Sequence, residues 1–413
     1  SLIGYEIYQT IPQMSRPRDT LLSVNLYNAA YFDEGMGQYG FRSRSPAADI
    51  MKIKRSPGLP RGFPVDPEDP TALILRPIGL LAGMTAHEAI VTGQARQLAG
   101  GPLAYTAAEI FLRQTGGVEI VGAAIWEIEE WAAAEGGATA AAVAQQMYAL
   151  SLPRAAVAGL SMDRPRLMGV VNVTPDSFHD GGRLPTSDAA VAHGRALRDA
   201  GADILDIGGE STRPGSDPVS EQQEMDRILP VIERLTADGA LVSADTRRAP
   251  VMRAACAAGA RIINDVSALT DPGALEAVAE TGAAVVLMHM QGSPQTMQNN
   301  PAYDHAPYEV ARFLTDRIAS CEAAGIERDA IVVDPGIGFG KTVAHNLRIF
   351  DQLALFHATG CAVMVGASRK SFIGAIDDWA DRDNPNDRLP GSLAAATIAA
   401  SQGVQLHRVH DVA

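Results

Sequence analysis

The chain has 413 residues, of which 46% are hydrophobic, and carries a formal net charge of −14. This length exceeds that of one barrel domain and leaves about 160 residues for a second unit at the N-terminus. The acidic charge argues against nucleic acid as a partner, and no apolar run approaches the length of a membrane span. No signal peptide is visible, and three widely spaced cysteines are typical of reduced thiols, so the composition predicts a cytoplasmic protein.

The first 160 residues predict two segments. Residues 1–70 form a Pro/Gly-rich extension that is expected to be loop-like, because SRPRD, KRSPGLPRG and FPVDPEDP are typical of turns. Residues 71–160 predict a small helical or mixed domain, in which YTAAEIFLRQ, VEIVGAAIWEIEEWAAA and ATAAAVAQQMYAL have helix-like patterns separated by Gly-Gly pairs. Residues 152–166 are interpreted as the linker into the domain at 161–413. Neither segment carries a constellation of chemical groups, so the sequence leaves their role open.

The domain at 161–413 contains eight apolar runs, each ending in polar residues. They are 167–182, 202–215, 241–248, 261–269, 283–292, 330–341, 361–372 and 405–412. Helix-like stretches lie between them at 188–200, 220–237, 250–258, 307–324, 344–358 and 389–401. Continuous apolar strands that alternate with helices predict an α/β fold, a closed (β/α)8 TIM barrel. The active site is then expected where the eight strands end, whereas an open doubly wound sheet would gather its ligand residues near one switch point.

Six motifs in this domain carry a family resemblance. NVTPDSF, ESTRPGS, IIND, DPGIGFGK, SRKSF and RVHD, in this order, resemble the dihydropteroate synthases, roughly from Arg164 to Ala413. The resemblance implies a pterin-binding TIM barrel and a transferase of folate biosynthesis. Such an enzyme condenses 6-hydroxymethyl-7,8-dihydropterin pyrophosphate with 4-aminobenzoate to give 7,8-dihydropteroate and pyrophosphate. GIGFGKT is not a phosphate-binding P-loop, because the first glycine of that motif would fall on Pro335.

Five strand ends supply the polar groups that a flat, fused heterocycle needs, namely Asp245, Asn264, Asp334, Lys370 and Arg408. By resemblance, Asp334 grips the amino-pyrimidine edge of the pterin, and Arg408 lies against the ring face. Asp245, Asn264 and Lys370 then bind the remaining polar atoms. An acid directly after a buried strand is costly unless something binds it, which favours a functional role for Asp245 and Asp334.

The leaving pyrophosphate requires cations and N–H donors. The candidates are Asn172, Arg213, Arg408 and His410, together with a magnesium ion that the resemblance places on the Asn172 amide oxygen. Asp245, Lys370 and Arg213 are the predicted catalytic residues. We expect a dissociative substitution at the pterin methylene without a dedicated base. The loops at 174–183 and 211–217 are expected to close over the leaving group and exclude water.

The acceptor pocket is predicted from the resemblance alone. It places the carboxylate of 4-aminobenzoate near Ser368 and its ring among apolar side chains; the six predicted contacts are Phe178, Thr212, Arg213, Pro214, Phe339 and Ser368. DPGIGFGK lacks an aromatic insertion associated with sulfonamide-resistant relatives. Sulfonamides are therefore expected to inhibit by competition with 4-aminobenzoate.

Several of these residues also have a purely structural interpretation. Asp176 and Asp206 equally fit helix caps or loop acceptors, and Asn264 fits a structural hydrogen bond to loop backbone. His289 in LMHM is expected to be a wall or core residue, and with His410 it lacks the partners that a zinc site needs.

Two alternative functions stay open. One is a pterin-binding methyltransferase that passes a methyl group from methyltetrahydrofolate to a corrinoid, which the pyrophosphate-type loops and the absence of a cobalamin module disfavour. The other is a non-catalytic pterin-binding paralogue. Family members usually continue past RVHD into a final helix, whereas this sequence stops at Ala413 and begins without Met. We therefore expect a truncated sequence or another segment over that flank, and this leaves the family's homodimer an open expectation.

Overall fold

A computed structural model describes residues 51–63, 65–69, 71–174, 187–211, 219–376 and 384–413. Its N-terminal part is built on a mixed sheet of five strands. These are β1 (Lys52–Ser56), β2 (Leu73–Ala82), β3 (Arg96–Gln97), β4 (Leu103–Gln114) and β5 (Gly117–Ala124). The strand order is β1-β5-β4-β2, with β3 also paired to β4. Only the β1–β5 pair is parallel within this described sheet.

Two N-terminal segments differ from the helical prediction. YTAAEIFLRQ lies in β4 and VEIVGAA lies in β5, and the two strands form a hairpin whose turn contains Gly116 at φ +78°. Ile110, Phe111 and Leu112 are consecutive and fully buried, so β4 has no alternation of apolar and polar residues from which a strand would be recognised. Lys52–Ser56 is likewise a strand within the segment that the sequence predicts to be loop-like.

The remaining N-terminal elements are helices, as the sequence predicts for IWEIEEWAAA and ATAAAVAQQMYAL. They are α1 (Gly83–Val91), α2 (Ile125–Glu135) and α3 (Gly137–Ser151). Ile128 of α2 and Val143 of α3 are buried and contribute to the core of this part of the chain. The N-terminal part is therefore mixed, with the sheet as its centre.

The second half of the chain is a closed barrel of eight parallel strands, which confirms the predicted fold. The strands are β6 (Arg166–Asn172), β7 (Ile204–Gly208), β8 (Val242–Asp245), β9 (Ile262–Asp265), β10 (Ala284–Met288), β11 (Ile331–Asp334), β12 (Ala362–Val365) and β13 (Leu406–Val409). β13 pairs with β6 and closes the ring. Because all strands are parallel, their carboxyl ends meet at one rim.

Helices surround the barrel strands. They are α4 (Ser187–Asp199), α5 (Glu221–Ala237), α6 (Ala249–Ala257), α7 (Ala274–Thr281), α8 (Ala306–Ala323), α9 (Val343–Asp351), α10 (Ser371–Ile376) and α11 (Leu389–Ser401). The predicted helix at 344–358 is instead α9 followed by a 3-10 segment, Leu353–Thr359. No helix among the described residues is long and apolar enough to cross a membrane.

The N-terminal sheet packs against the outside of the barrel. β2 and α3 contact the 3-10 segment Leu353–Thr359, and residues of both halves belong to one hydrophobic core. A second cluster, which includes Met168, Ile204 and Leu406, fills the barrel interior below the polar rim. The division of the chain at residues 160 and 161 stays a prediction.

Candidate active site

Four strand ends bring a polar cluster together inside the rim. From β13, Arg408 Nε donates to Asp206 Oδ2 of β7 at 2.7 Å, and Nη2 donates to Asp245 Oδ2 of β8 at 2.7 Å. Asn264 of β9 donates through Nδ2 to the same Asp206 oxygen at 3.0 Å. In the barrel, β6 separates β13 from β7, and both β6 and β7 separate β13 from β8, so the guanidinium spans one strand to reach Asp206 and two strands to reach Asp245.

Burial controls the charge of this cluster. It raises the pKa of Asp245 to about 7, although the nearby Arg408 cation opposes the shift and Asp206 adds to it. Burial alone would lower the pKa of Arg408, but Asp206 and Asp245 together raise it. The cation is therefore permanent, whereas the charge of Asp245 is sensitive to whatever binds beside it.

Asp334 ends β11 and lies on the opposite side of a gap from this cluster. Its Oδ1 accepts the backbone N–H of Gly336 at 2.7 Å, and its Oδ2 faces Gly366. A side-chain carbon on Gly366 would lie 3.7 Å from Arg408 Cβ and 4.0 Å from Asp334 Oδ2. Gly366 thus lies between the Asp334 carboxylate and the aliphatic part of the Arg408 side chain, at ordinary contact distance from both. Burial raises the pKa of Asp334, and the Gly336 N–H opposes that shift.

Lys370 joins the Asp334 side of the gap to an aromatic wall. Its Nζ donates to the Ile337 carbonyl at 2.7 Å and lies 3.9 Å from the centre of the Phe339 ring. Burial lowers the pKa of Lys370 to about 7, and Asp334 opposes this shift. Lys370 therefore adjoins both Asp334, another predicted pterin contact, and Phe339, a predicted aminobenzoate contact.

Ser368 and His410 lie together at the end of β12 and β13. The backbone N–H of His410 donates to Ser368 Oγ at 3.2 Å, and His410 Nδ1 lies 3.2 Å from the same oxygen. Burial lowers the pKa of His410 to about 3, and Arg408 and Arg369 add to the shift. Arg369 takes a positive φ of 59° and is paired with Asp411, which fixes the turn between Ser368 and Lys370.

Asn172 ends β6 beside a second gap. A side-chain carbon on Gly208 would lie 3.6 Å from Asn172 Oδ1 and 3.5 Å from Asp245 Oδ2. Two oxygens therefore border a space that glycine leaves free, and oxygen ligands are what Mg²⁺ prefers. Within the described ranges, no group of three or more His, Cys, Asp or Glu side chains is arranged to hold a metal ion. The residues present fit an ion that takes most of its ligands from a bound phosphate.

Four predicted site residues lie outside the described ranges. They are Phe178, Thr212, Arg213 and Pro214. Asp176, for which the sequence left two interpretations, lies outside them as well. The roles of these residues stay predictions.

Two buried residues of the site, Asp206 and Lys341, bind more partners than the sequence indicates. Asp206 has no exposed surface and accepts from both Arg408 and Asn264, so it is not a helix cap. Its position inside a buried strand was the available signal, since such an acid needs partners. Lys341, which sequence reasoning missed, is buried, and its Nζ donates to the carbonyls of His289, Gly336 and Phe339. That amine also lies 2.9 Å from His289 Nδ1, so His289 is a wall residue tied to this loop.

Comparison with known proteins places this chain in a family. The family model described as "Pterin binding enzyme" matches residues 168–410, more than half of the chain. Dihydropteroate synthase of Escherichia coli (strain K12) is 48% identical over 254 residues, which cover 61% of this chain and 89% of that protein. Two solved structures of the Xanthomonas albilineans dihydropteroate synthase are similar to this chain. The structure with 4-aminobenzoic acid is 51% identical, has a TM-score of 0.59 and covers 63% of this chain and 93% of its own. The complex with 7,8-dihydropteroate is 49% identical, has a TM-score of 0.57 and covers 63% and 94%. With its barrel, its polar rim and these relatives, the chain belongs to the pterin-binding enzyme family and, within it, to the dihydropteroate synthases.

Proposed function

We propose that this chain condenses 6-hydroxymethyl-7,8-dihydropterin pyrophosphate with 4-aminobenzoate, giving 7,8-dihydropteroate and pyrophosphate. The observation that carries the proposal is the convergence of Asp245, Asn264, Asp334, Lys370 and Arg408 around one gap at the carboxyl rim. The matching relatives are named dihydropteroate synthase, which is the same activity. The pterin-binding methyltransferase and the non-catalytic paralogue have no observation in their favour.

Recognition of the pterin follows from the donors and acceptors that line the gap. Asp334 Oδ2 is the acceptor for the amino-pyrimidine edge, because Oδ1 already binds Gly336. Asp245, Asn264 and Lys370 bind the other ring heteroatoms, and the Arg408 guanidinium lies against the ring face. Asp206 takes two donors on one oxygen and so holds Arg408 and Asn264 in place.

Charge distribution favours a dissociative step. When the bond between the pterin methylene and the pyrophosphate breaks, positive charge develops on the pterin. The carboxylates of Asp245 and Asp334 border the gap, Asp206 lies behind Arg408, and in this buried setting their negative charge stabilises the positive charge on the pterin. Arg408 and His410 are assigned to the departing pyrophosphate, His410 as a neutral N–H donor since its pKa is about 3, and Arg213 is added to them from the sequence prediction. A dedicated general base is not required, because the aromatic amine already has a free lone pair.

Mg²⁺ would be held by the Asn172 amide oxygen next to the gap at Gly208, with phosphate oxygens as its other ligands. When bound, the ion neutralises charge on the leaving group. The test is calorimetric binding of inorganic pyrophosphate with and without Mg²⁺. Asn172→Ala should remove most of the Mg²⁺-dependent gain in affinity and lower the Mg²⁺-free affinity much less. An unchanged gain would assign the ion elsewhere.

The aminobenzoate is assigned to the side of Phe339 and Ser368. Lys370 lies between this side and Asp334, so the amine nucleophile would approach the methylene from the Phe339 wall. Phe178, Thr212, Arg213 and Pro214 complete the pocket in this proposal. Sulfonamides should inhibit in competition with 4-aminobenzoate; inhibition that ignores the aminobenzoate concentration would contradict the assignment.

The decisive experiment is pyrophosphate release with both substrates present. Asp334→Ala should abolish pterin binding, whereas Arg213→Ala should mainly slow turnover. Asp329→Ala is the matched control, because Asp329 precedes the same strand at the other end of the barrel. Release that does not require 4-aminobenzoate would overturn the proposed function, and normal pterin affinity in Asp334→Ala would overturn the assignment of the recognition acid.

A homodimer is proposed through α11. This helix exposes Leu389, Leu393 and Ile398 while its other face is buried, and exposed apolar residues on an almost wholly apolar helix favour a partner. Sedimentation equilibrium should give a dimer that Leu393→Asp dissociates. Met84→Asp on α1 is the control, since Met84 is also an exposed apolar side chain. A dimer that survives Leu393→Asp uses another surface.

A further inference from the structure

The N-terminal sheet contacts the barrel at one end of α8, close to the active-site rim. Phe111 of β4 is fully buried, stacks on Tyr308 with ring centres 5.7 Å apart and meets His305 edge-on at 5.4 Å. Tyr308 OH donates to the Thr71 carbonyl at 3.3 Å. These aromatic and polar contacts join the sheet to the first turn of a barrel helix.

The start of α8 is held from both sides. His305 is its N-cap and accepts the Tyr308 backbone N–H at 3.3 Å. Immediately before it, Asp304 Oδ2 accepts the backbone N–H of Met51 at 2.6 Å. The segment that leads into α8 is therefore fixed partly by residues that precede the barrel in the sequence.

That segment reaches the aminobenzoate side through Tyr303. Its OH donates to the Gly340 carbonyl at 2.8 Å, and its ring packs edge-on against His345 at 4.9 Å. Gly340 belongs to the loop 336–341, which also contains Phe339. A side-chain carbon on Gly340 would lie 2.5 Å from the Gln291 carbonyl, so the loop lies tightly against its neighbour.

We infer that the N-terminal sheet, through Phe111, His305, Tyr308 and Tyr303, positions the loop 336–341 and with it the Phe339 wall of the aminobenzoate pocket. Phe111 and Tyr303 are positioning residues, since neither lines the gap. The family match covers residues 168–410, so the sheet that contains Phe111 and supports this loop lies outside the matched range. The inference rests on the proposed assignment of Phe339 to 4-aminobenzoate.

The test compares Phe111→Ala with Ile128→Ala. Ile128 is also fully buried, but it lies in α2, which packs on β4, β5 and α3. Phe111→Ala should raise the KM for 4-aminobenzoate by about threefold to tenfold, with little change in kcat or in the KM for the pterin pyrophosphate. Equal effects of the two variants would show that the sheet acts only through general stability and would overturn the inference.

Tyr303→Phe keeps the test informative if Phe111→Ala does not fold. This variant keeps the ring and removes only the bond to Gly340, and it should produce the same KM change. Hydrogen exchange without substrates supplies an independent measurement. The amides of Gly338 and Phe339, bonded to Asn346 and Gly336, should exchange faster in Phe111→Ala and Tyr303→Phe than in Ile128→Ala. Unchanged exchange would overturn the inference.

Phe339→Ala separates this inference from the proposed function. If Phe339→Ala leaves the KM for 4-aminobenzoate unchanged while exchange in the loop still responds to Phe111→Ala, the assignment of Phe339 fails and the mechanical link remains. If Phe339→Ala raises that KM and the exchange does not respond, the pocket assignment remains and the link fails.

Discussion

At the scale of single residues, Arg408 depends on Asp206 for its orientation. One oxygen of Asp206 accepts from both Arg408 and Asn264, and the acid has no exposed surface. A long arginine side chain loses considerable rotamer entropy when it is fixed, so a buried partner already in place reduces the cost of ordering it on ligand binding. Asp206 therefore affects pterin affinity without a need to touch the pterin.

Asp206→Asn should weaken binding of 6-hydroxymethyl-7,8-dihydropterin by about tenfold to a hundredfold. The substitution keeps the shape of the side chain but removes the charge that pairs with a buried guanidinium, which costs about 1.5–3 kcal/mol. Isothermal calorimetry measures the change. The matched control is Asp203→Asn, because Asp203 pairs with Arg164 and Arg166 at the start of the same strand. If both variants bind normally, Asp206 has no role in positioning.

Asp245 and Lys370 should make pterin binding depend on pH. Burial raises the pKa of Asp245 and lowers that of Lys370, in each case to about 7. Below this value the Asp245 carboxylate gains a proton, and above it the Lys370 ammonium loses one. The affinity for 6-hydroxymethyl-7,8-dihydropterin should therefore fall on both sides of about pH 7, as measured by calorimetry from about pH 5.5 to about pH 9.

Each limb of that profile has its own control. Asp245→Asn should flatten the acid limb, because the amide does not titrate, and Lys370→Gln should flatten the alkaline limb. Both variants bind more weakly overall, so the shape of the profile, rather than its height, is the quantity compared. A wild-type profile that is flat between about pH 6 and about pH 8 would refute the two assignments.

At the scale of elements, the loop after β11 is held by its backbone. Gly336 has a φ of +68°, and a side-chain carbon there would lie 1.9 Å from the His289 carbonyl. The same carbonyl accepts from Lys341, which also binds Gly336 and Phe339. The amine thus serves as the donor for carbonyls that the tight turn leaves unpaired.

Gly336→Ala should displace the loop and cost both stability and activity. The positive φ alone costs about 1–2 kcal/mol for an L-residue, and the contact with His289 adds to it. Gly116→Ala isolates the first effect, because Gly116 has a φ of +78° and no atom lies within 4 Å of its added carbon. Urea unfolding should give a clearly larger loss for Gly336→Ala. Equal losses would mean that the loop yields to the clash.

The sequence predicts the strand ends better than it predicts the connections between them. Asp245, Asn264, Asp334, Lys370 and Arg408 each follow an apolar run, and parallel strands must bring such ends to one rim. Lys341 was missed because its partners are backbone carbonyls of His289 and Gly336, and a sequence gives no sign of which carbonyls a turn leaves free. The role of Asp206 is ambiguous in the sequence for a similar reason, since its hydrogen-bond partner Arg408 lies 202 residues away.

At the scale of the whole molecule, the N-terminal sheet and the barrel share buried contacts. Arg76 donates to the Asp351 carbonyl at 2.8 Å, and Arg154 donates to the His357 carbonyl at 3.0 Å. These contacts are not predictable from the sequence, because the pattern of β4 does not alternate and fits a helix equally well. Both faces of β4 are buried because the barrel packs on one of them, for example through the stacking of Tyr308 on Phe111.

The shared core should make the described chain unfold as one unit. Two of the three tryptophans, Trp126 and Trp131, lie in α2, so in a Trp379→Phe variant the fluorescence reports on the N-terminal part alone. Its thermal midpoint should coincide with that of the far-ultraviolet ellipticity, which reports on all helices and strands. Pterin at about a hundred times its Kd should raise both midpoints by about 3 °C, although it binds only the barrel. A fluorescence midpoint that ignores the ligand would show that the sheet and the barrel unfold independently.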